Sequence, residues 1–102
     1  MKTYNKLVRD KIPAILLEKS KVHAVHQADF SEFNQKLCQK LQEEVDEFLE
    51  NPCLEELADI QEVILALVSR NSWSVYDLEH VRKEKLVARG GFEKGFILEY
   101  VE

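Results

Sequence analysis

The chain has 102 residues, 45% of them hydrophobic and 32% charged, with a formal net charge of −5. That composition fits one soluble globular domain spanning residues 1–102, long enough for a modest core. The acidic balance excludes a nucleic acid polymer gripped by a broad basic surface, no segment is apolar for long enough to cross a membrane, and residues 1–4 lead into no secretory apolar run.

A first short helix is predicted from near Lys6 or Pro13 to Lys19, because proline is tolerated only in a first turn. Residues 21–28 read as a short strand or an extended connector. His23 and His26 lie in this segment at a spacing that suits zinc on a helix, but in an extended chain their rings point to opposite faces, so no zinc site is expected. Asp29-Phe30-Ser31-Glu32 has the pattern of a capping box and opens a long second helix that ends near Asn51. After the Asn51-Pro52 breaker a third helix runs from Cys53 to about Arg70, and Ser74 caps a fourth that contains Val75, Leu78, Val81 and Leu86. Residues 95–101 read as a strand that pairs with residues 21–28. The expected fold is mainly α, a helical hairpin or bundle with short extended segments towards both ends. Trp73 and Phe92, near helix junctions, are read as core anchors rather than as platforms for a nucleotide base.

Four acids interrupt this pattern. Glu44 and Glu47 are three positions apart on the second helix, as are Glu56 and Asp59 on the third, so each pair shares a helix face. The apolar stripe of the second helix consists of Phe30, Phe33, Leu37, Leu41, Val45 and Phe48. Glu44 projects from near its middle, within about 20° of Leu37 at 3.6 residues per turn, and Glu47 lies at its edge. An ordinary solvated glutamate belongs on the opposite face, with Asp46 and Glu50. The third helix is apolar around most of its circumference and leaves a narrow wet strip of Glu55, Glu62 and Ser69; Glu56 and Asp59 fall outside it. If the breaker folds the helices back on each other, the four carboxylates converge. Such a gathering needs protons or a cation, and a hard divalent ion such as Mg²⁺ or Mn²⁺ suits oxygen ligands.

These residues carry a resemblance. Glu43-Glu44-Val45-Asp46-Glu47 followed by Glu56-Leu57-Ala58-Asp59 resembles the EExxE…ExxD signature of the MazG-like all-α nucleoside triphosphate pyrophosphohydrolases, a superfamily that includes phosphoribosyl-ATP pyrophosphohydrolases and dimeric dUTPases. Residues 4–13 (YNKLVRDKIP) and Arg89-Gly90-Gly91-Phe92 resemble its small, single-domain, phosphoribosyl-ATP pyrophosphohydrolase-like branch. The resemblance implies Mg²⁺-dependent cleavage between the α and β phosphates, yielding a nucleoside monophosphate and pyrophosphate, with Glu44, Glu47, Glu56 and Asp59 holding the metal. It also implies a homodimer or homotetramer. Eight residues separate Glu47 from Glu56, fewer than the family's usual interval, and this bears on substrate range.

Phosphoanhydride hydrolysis needs charge neutralisation, positioning and an oriented water rather than a protein nucleophile. Glu47 and Glu43 are the candidates to accept the water's proton. Lys6 and Arg9 near one end, and Lys85 and Arg89 near the other, are the candidate phosphate-binding groups; Arg89 suits bidentate contact and Lys85 a point charge. Gly90-Gly91 ends the fourth helix. Cys38 and Cys53 lack the spacing of a metal or redox pair and are placed about 18 Å apart by helical rise, so free thiols and a cytoplasmic setting are expected. The alternatives are a phosphoribosyl-ATP pyrophosphohydrolase of histidine synthesis, and a catalytically silent helical module that binds a nucleotide or a protein.

Overall fold

A computed structural model describes residues 2–102, which form four helices and, among the described residues, no strand. The helices are α1 (Ile12–Glu18), α2 (Phe30–Glu50), α3 (Leu54–Arg70) and α4 (Val75–Arg89). The predicted mainly helical fold is thus what the chain adopts. No helix is long and apolar enough to cross a membrane.

Local chemistry sets the helix ends. The Asp29 side chain accepts the Glu32 backbone N–H at 2.9 Å and caps α2. The reciprocal half of the expected box does not form, because the Glu32 carboxylate turns to His26 Nε2, 2.9 Å away. The α2 helix closes with the Asn51 N–H on the Glu47 carbonyl, and Pro52 prevents its continuation. Cys53 is the N-cap of α3 without a side-chain cap bond, and Glu55 and Glu56 occupy the first turn, where the helix dipole favours negative charge. The Ser74 capping box of α4 is complete: Ser74 Oγ accepts the Asp77 N–H at 3.1 Å, and the Asp77 carboxylate accepts the Ser74 N–H at 2.8 Å. Gly90, with φ +79°, ends α4 and donates its N–H to the Leu86 carbonyl.

The α2 and α3 helices pack along their lengths as an antiparallel hairpin, α4 packs more lightly on α3, and α1 stands apart from the other three. Among the described residues, Leu37, Val63 and Val68 are the buried apolar side chains, all on the hairpin. At the hairpin's open end the Arg70 guanidinium lies 4.6 Å from the ring centres of both Phe30 and Phe33, a paired cation–π contact that joins the end of α3 to the start of α2.

Two expectations require correction. Residues 21–28 and 95–101 carry no regular secondary structure, so the connector reading holds for the first segment and the strand pair does not form. An isolated two-stranded ribbon is marginal in water, and neither segment has a sheet or helix face to lie on: Val22, Val25, Phe96, Ile97, Leu98, Tyr100 and Val101 are all exposed. Trp73 and Phe92, 61% and 99% exposed, do not anchor the core of the single chain. Cys38 and Cys53 are free thiols, as expected.

Leu37 is 2% exposed at the centre of the hairpin. Leu37→Ala is expected to lower unfolding stability by about 2–5 kcal/mol, measured by urea denaturation of the two proteins side by side.

Candidate metal centre

The hairpin brings the two acidic pairs together. One carboxylate oxygen from each of Glu44, Glu47, Glu56 and Asp59 lies within 4.8 Å of the others. The turn at residues 51–53 determines this, because it sets the last turns of α2 against the first turns of α3 and makes the two inner acid faces meet. Asp46, Glu50, Glu55 and Glu62 remain exposed, as the helical wheel predicts.

Glu44 is 7% exposed, although its position in the chain is next to ordinary surface acids. Its Oε1 is 3.3 Å from Lys40 Nζ, while its Oε2 is buried with no hydrogen-bond partner. Glu56 Oε2 is likewise buried and unpartnered. Burial pushes the Glu44 carboxyl above the ordinary glutamate range; Lys40 opposes this and the neighbouring Glu47 reinforces it. Buried carboxylate oxygens without donors are costly. Both belong to carboxylates of the four-residue cluster, an environment that favours a proton or a cation there.

The donor set fits a hard divalent cation. All four ligands are carboxylate oxygens, with no nitrogen or sulfur, which suits Mg²⁺ or Mn²⁺ rather than a softer metal.

Beside the cluster, the segment preceding α1 lies across the hairpin. Lys36 Nζ donates to the Asn5 carbonyl at 2.7 Å, Lys6 Nζ pairs with Glu43 Oε1 at 3.2 Å, and Arg9 Nη2 pairs with Asp59 Oδ1 at 2.7 Å. Asn5 takes a left-handed conformation, φ 48°, which asparagine tolerates well. A cavity of about 250 Å³ opens between this strap and the helices, with Arg9, Lys40, Glu44 and Asp59 among its polar lining and Phe33, Leu37, Val63 and Ala66 among its apolar lining.

The predicted residues therefore divide into groups. Glu44, Glu47, Glu56 and Asp59 converge, and Lys6 and Arg9 reach the acidic region. Glu43 lies next to the cluster but outside it, clasped by Lys6 and by Lys40 Nζ at 3.3 Å. Burial would raise its carboxyl, but these two ammonium groups outweigh that effect and hold it below the ordinary range. Lys85 and Arg89 share the exposed last turns of α4, and within one chain neither pairs with a cluster carboxylate nor lines the cavity. His23 and His26 turn to different partners, the Lys21 carbonyl and Glu32. Lys40 was missed by the sequence reading. The available signal was its spacing, three residues before Glu43 and four before Glu44, which places an ammonium over both carboxylates on a helix.

The raised Glu44 carboxyl gives a signed pH effect. The folded chain favours the protonated form, so this group's contribution is fully present below the ordinary glutamate pKa and is lost as pH rises through the raised folded value. Glutamine does not titrate. In EDTA, Glu44→Gln is therefore expected to be the more stable protein at pH 7, by on the order of 1 kcal/mol. The advantage should shrink as pH falls towards 4, as read by thermal melts across that range.

Comparison of the chain with family models, with curated proteins and with solved structures yields no match, so the chemistry of the centre rests on its residues and geometry.

Proposed function

We propose that this chain is a Mg²⁺-dependent nucleoside triphosphate pyrophosphohydrolase of the MazG-like kind, which cleaves the α–β anhydride to a nucleoside monophosphate and pyrophosphate. The observation that carries the reading is the convergence of Glu44, Glu47, Glu56 and Asp59 within 4.8 Å, with two buried oxygens lacking donors. Lys6, Arg9 and Lys40 beside the cluster and the partly apolar cavity extending from it support the same reading.

Glu44, Glu47, Glu56 and Asp59 would hold the divalent cation. Bound there, it supplies charge neutralisation for phosphate oxygens and acidifies water nearby. The chain's own residues do the rest. Arg9 and Lys6 contact the polyphosphate oxygens, and Lys40 holds Glu44 in place. A water oxygen attacks the α-phosphorus while the bridging oxygen departs with pyrophosphate. Glu47 accepts the water's proton. Glu43, whose charge is already committed to two lysines, orients rather than deprotonates the water. Lys85 and Arg89 would meet phosphate only through a rearrangement or from another copy of the chain.

Such an association belongs to the proposal. The chain has a radius of gyration of 18.0 Å, against about 13 Å for a compact domain of this length. Leu54 and Leu57 on α3, Leu78 and Val81 on α4, and Phe96 to Leu98 in the tail remain exposed. A homodimer or homotetramer would cover them. Light scattering coupled to gel filtration is expected to give at least twice the mass of one chain, whereas a stable monomer would remove this part of the proposal.

The reaction itself is tested by pyrophosphate release from a panel of nucleoside triphosphates and phosphoribosyl-ATP, in Mg²⁺ or in EDTA. Release is expected only with the metal. Glu44→Gln and Asp59→Asn should each lower it by more than the roughly 10–100-fold cost of disturbing an outer shell. Strong preference for phosphoribosyl-ATP would assign histidine synthesis. Metal binding without release from any substrate would leave a silent nucleotide- or protein-binding module.

A further inference from the structure

The acidic centre is partly neutralised by cations that differ in how firmly they are held. Lys40 is on α2, one turn before Glu44, with its side chain only 16% exposed, and it bridges Glu43 and Glu44 at 3.3 Å each. Its burial and its two carboxylate partners hold it more firmly than an exposed side chain. Arg9 belongs instead to the irregular strap ahead of α1 and is 60% exposed, yet its guanidinium is 2.7 Å from Asp59, one of the four clustered carboxylates. An ion pair this exposed is weak and exchanges readily with solvent. Asp59 is itself 37% exposed, so the cluster can be reached from the side where Arg9 sits.

Resting on the reading above, we infer that Arg9 is a displaceable counter-ion of the metal centre, which neutralises Asp59 in the metal-free chain and passes to the polyphosphate when a divalent cation takes its place. The guanidinium and the cation compete for the negative charge of Asp59. Arg9 lines the same cavity as Asp59 and Glu44, so once released it is already beside the expected position of the phosphates. The strap does not have to leave the hairpin for this exchange, because Lys36 still holds the Asn5 carbonyl. Only a long, exposed side chain has to turn. Guanidinium suits both partners, since its planar set of N–H donors matches carboxylate and phosphate alike.

The consequence is an effect of opposite sign on two ligands at a single residue. Arg9→Gln removes the charge and preserves much of the length. It is expected to tighten binding of Mn²⁺ alone, titrated calorimetrically, by roughly two- to fivefold, the scale of an exposed ion pair. At saturating Mn²⁺ it should weaken binding of inorganic triphosphate by tenfold or more, about the size of a charge-assisted contact. A direct metal ligand would lose Mn²⁺ affinity, and a residue that only fastens the strap would leave it unchanged. Unchanged or weaker Mn²⁺ binding by Arg9→Gln, or unaltered triphosphate binding, overturns the inference. Glu44→Gln run alongside separates the two levels of the argument. If it loses Mn²⁺ while Arg9→Gln matches the parent, the metal centre holds and the exchange fails; if the parent itself binds no Mn²⁺, both fail.

Discussion

The carboxylates of Glu44, Glu47, Glu56 and Asp59 repel one another across the α2–α3 hairpin, and much of the surrounding structure acts against that repulsion. Lys40 offsets part of it from within α2. The first turn of α3 offsets another part, because its unpaired N–H groups favour the negative charge of Glu56. Arg9 reaches in from the strap to Asp59. These contributions remain incomplete: Glu44 Oε2 and Glu56 Oε2 have no donor, and the Glu44 carboxyl is pushed above its ordinary range. A surface acid patch would relax into water. This one cannot, because Glu44 projects from the same side of α2 as Leu37, and burial of Leu37 holds the helix face against α3.

The hairpin therefore serves stability and site construction through the same packing. Leu37, Val63 and Val68 supply the buried apolar contacts, and the Arg70 stack on Phe30 and Phe33 closes the end farthest from the turn. With both ends fixed, the acidic faces near the turn have little freedom to separate. The centre is on rigid helices rather than on a loop, while the one irregular element that touches it, the strap, contributes cations. The carboxylates are thus held on helices, while Arg9 approaches Asp59 from an exposed, irregular segment.

The helices and the acidic centre were legible in the sequence for specific reasons. Ser74 announces the start of α4 as a cap residue, Pro52 marks the end of α2, and Glu44 betrays itself by standing in an apolar stripe. What was not legible depended on tertiary neighbours. Residues 21–28 read as a strand or connector and 95–101 as a strand, but strand formation requires a partner and a face to cover, and the single chain offers neither. Glu32 completes a capping box by pattern and is drawn away by His26, six residues earlier. Arg9 on Asp59 spans fifty positions, and no local spacing reveals it. Lys40 was legible in principle, since its relation to Glu43 and Glu44 is helical, but a lysine next to glutamates on a helix looks like an ordinary surface pair until Glu44 is known to be buried.

The distribution of exposed apolar surface separates two properties of the molecule. All four clustered carboxylates come from α2 and α3 of one chain, so their convergence requires no other copy. Much of the uncovered apolar surface is on α4 and in the tail, where Val81 and Phe96 are exposed. Lys85 and Arg89 lie on that second region and not at the centre. Assembly, if it covers those surfaces, would change what surrounds the centre and which cations reach its ligand. It would not create the centre itself. The spacing of the four carboxylates is thus set by the hairpin, and the cations that reach them within one chain come from α2 and the strap.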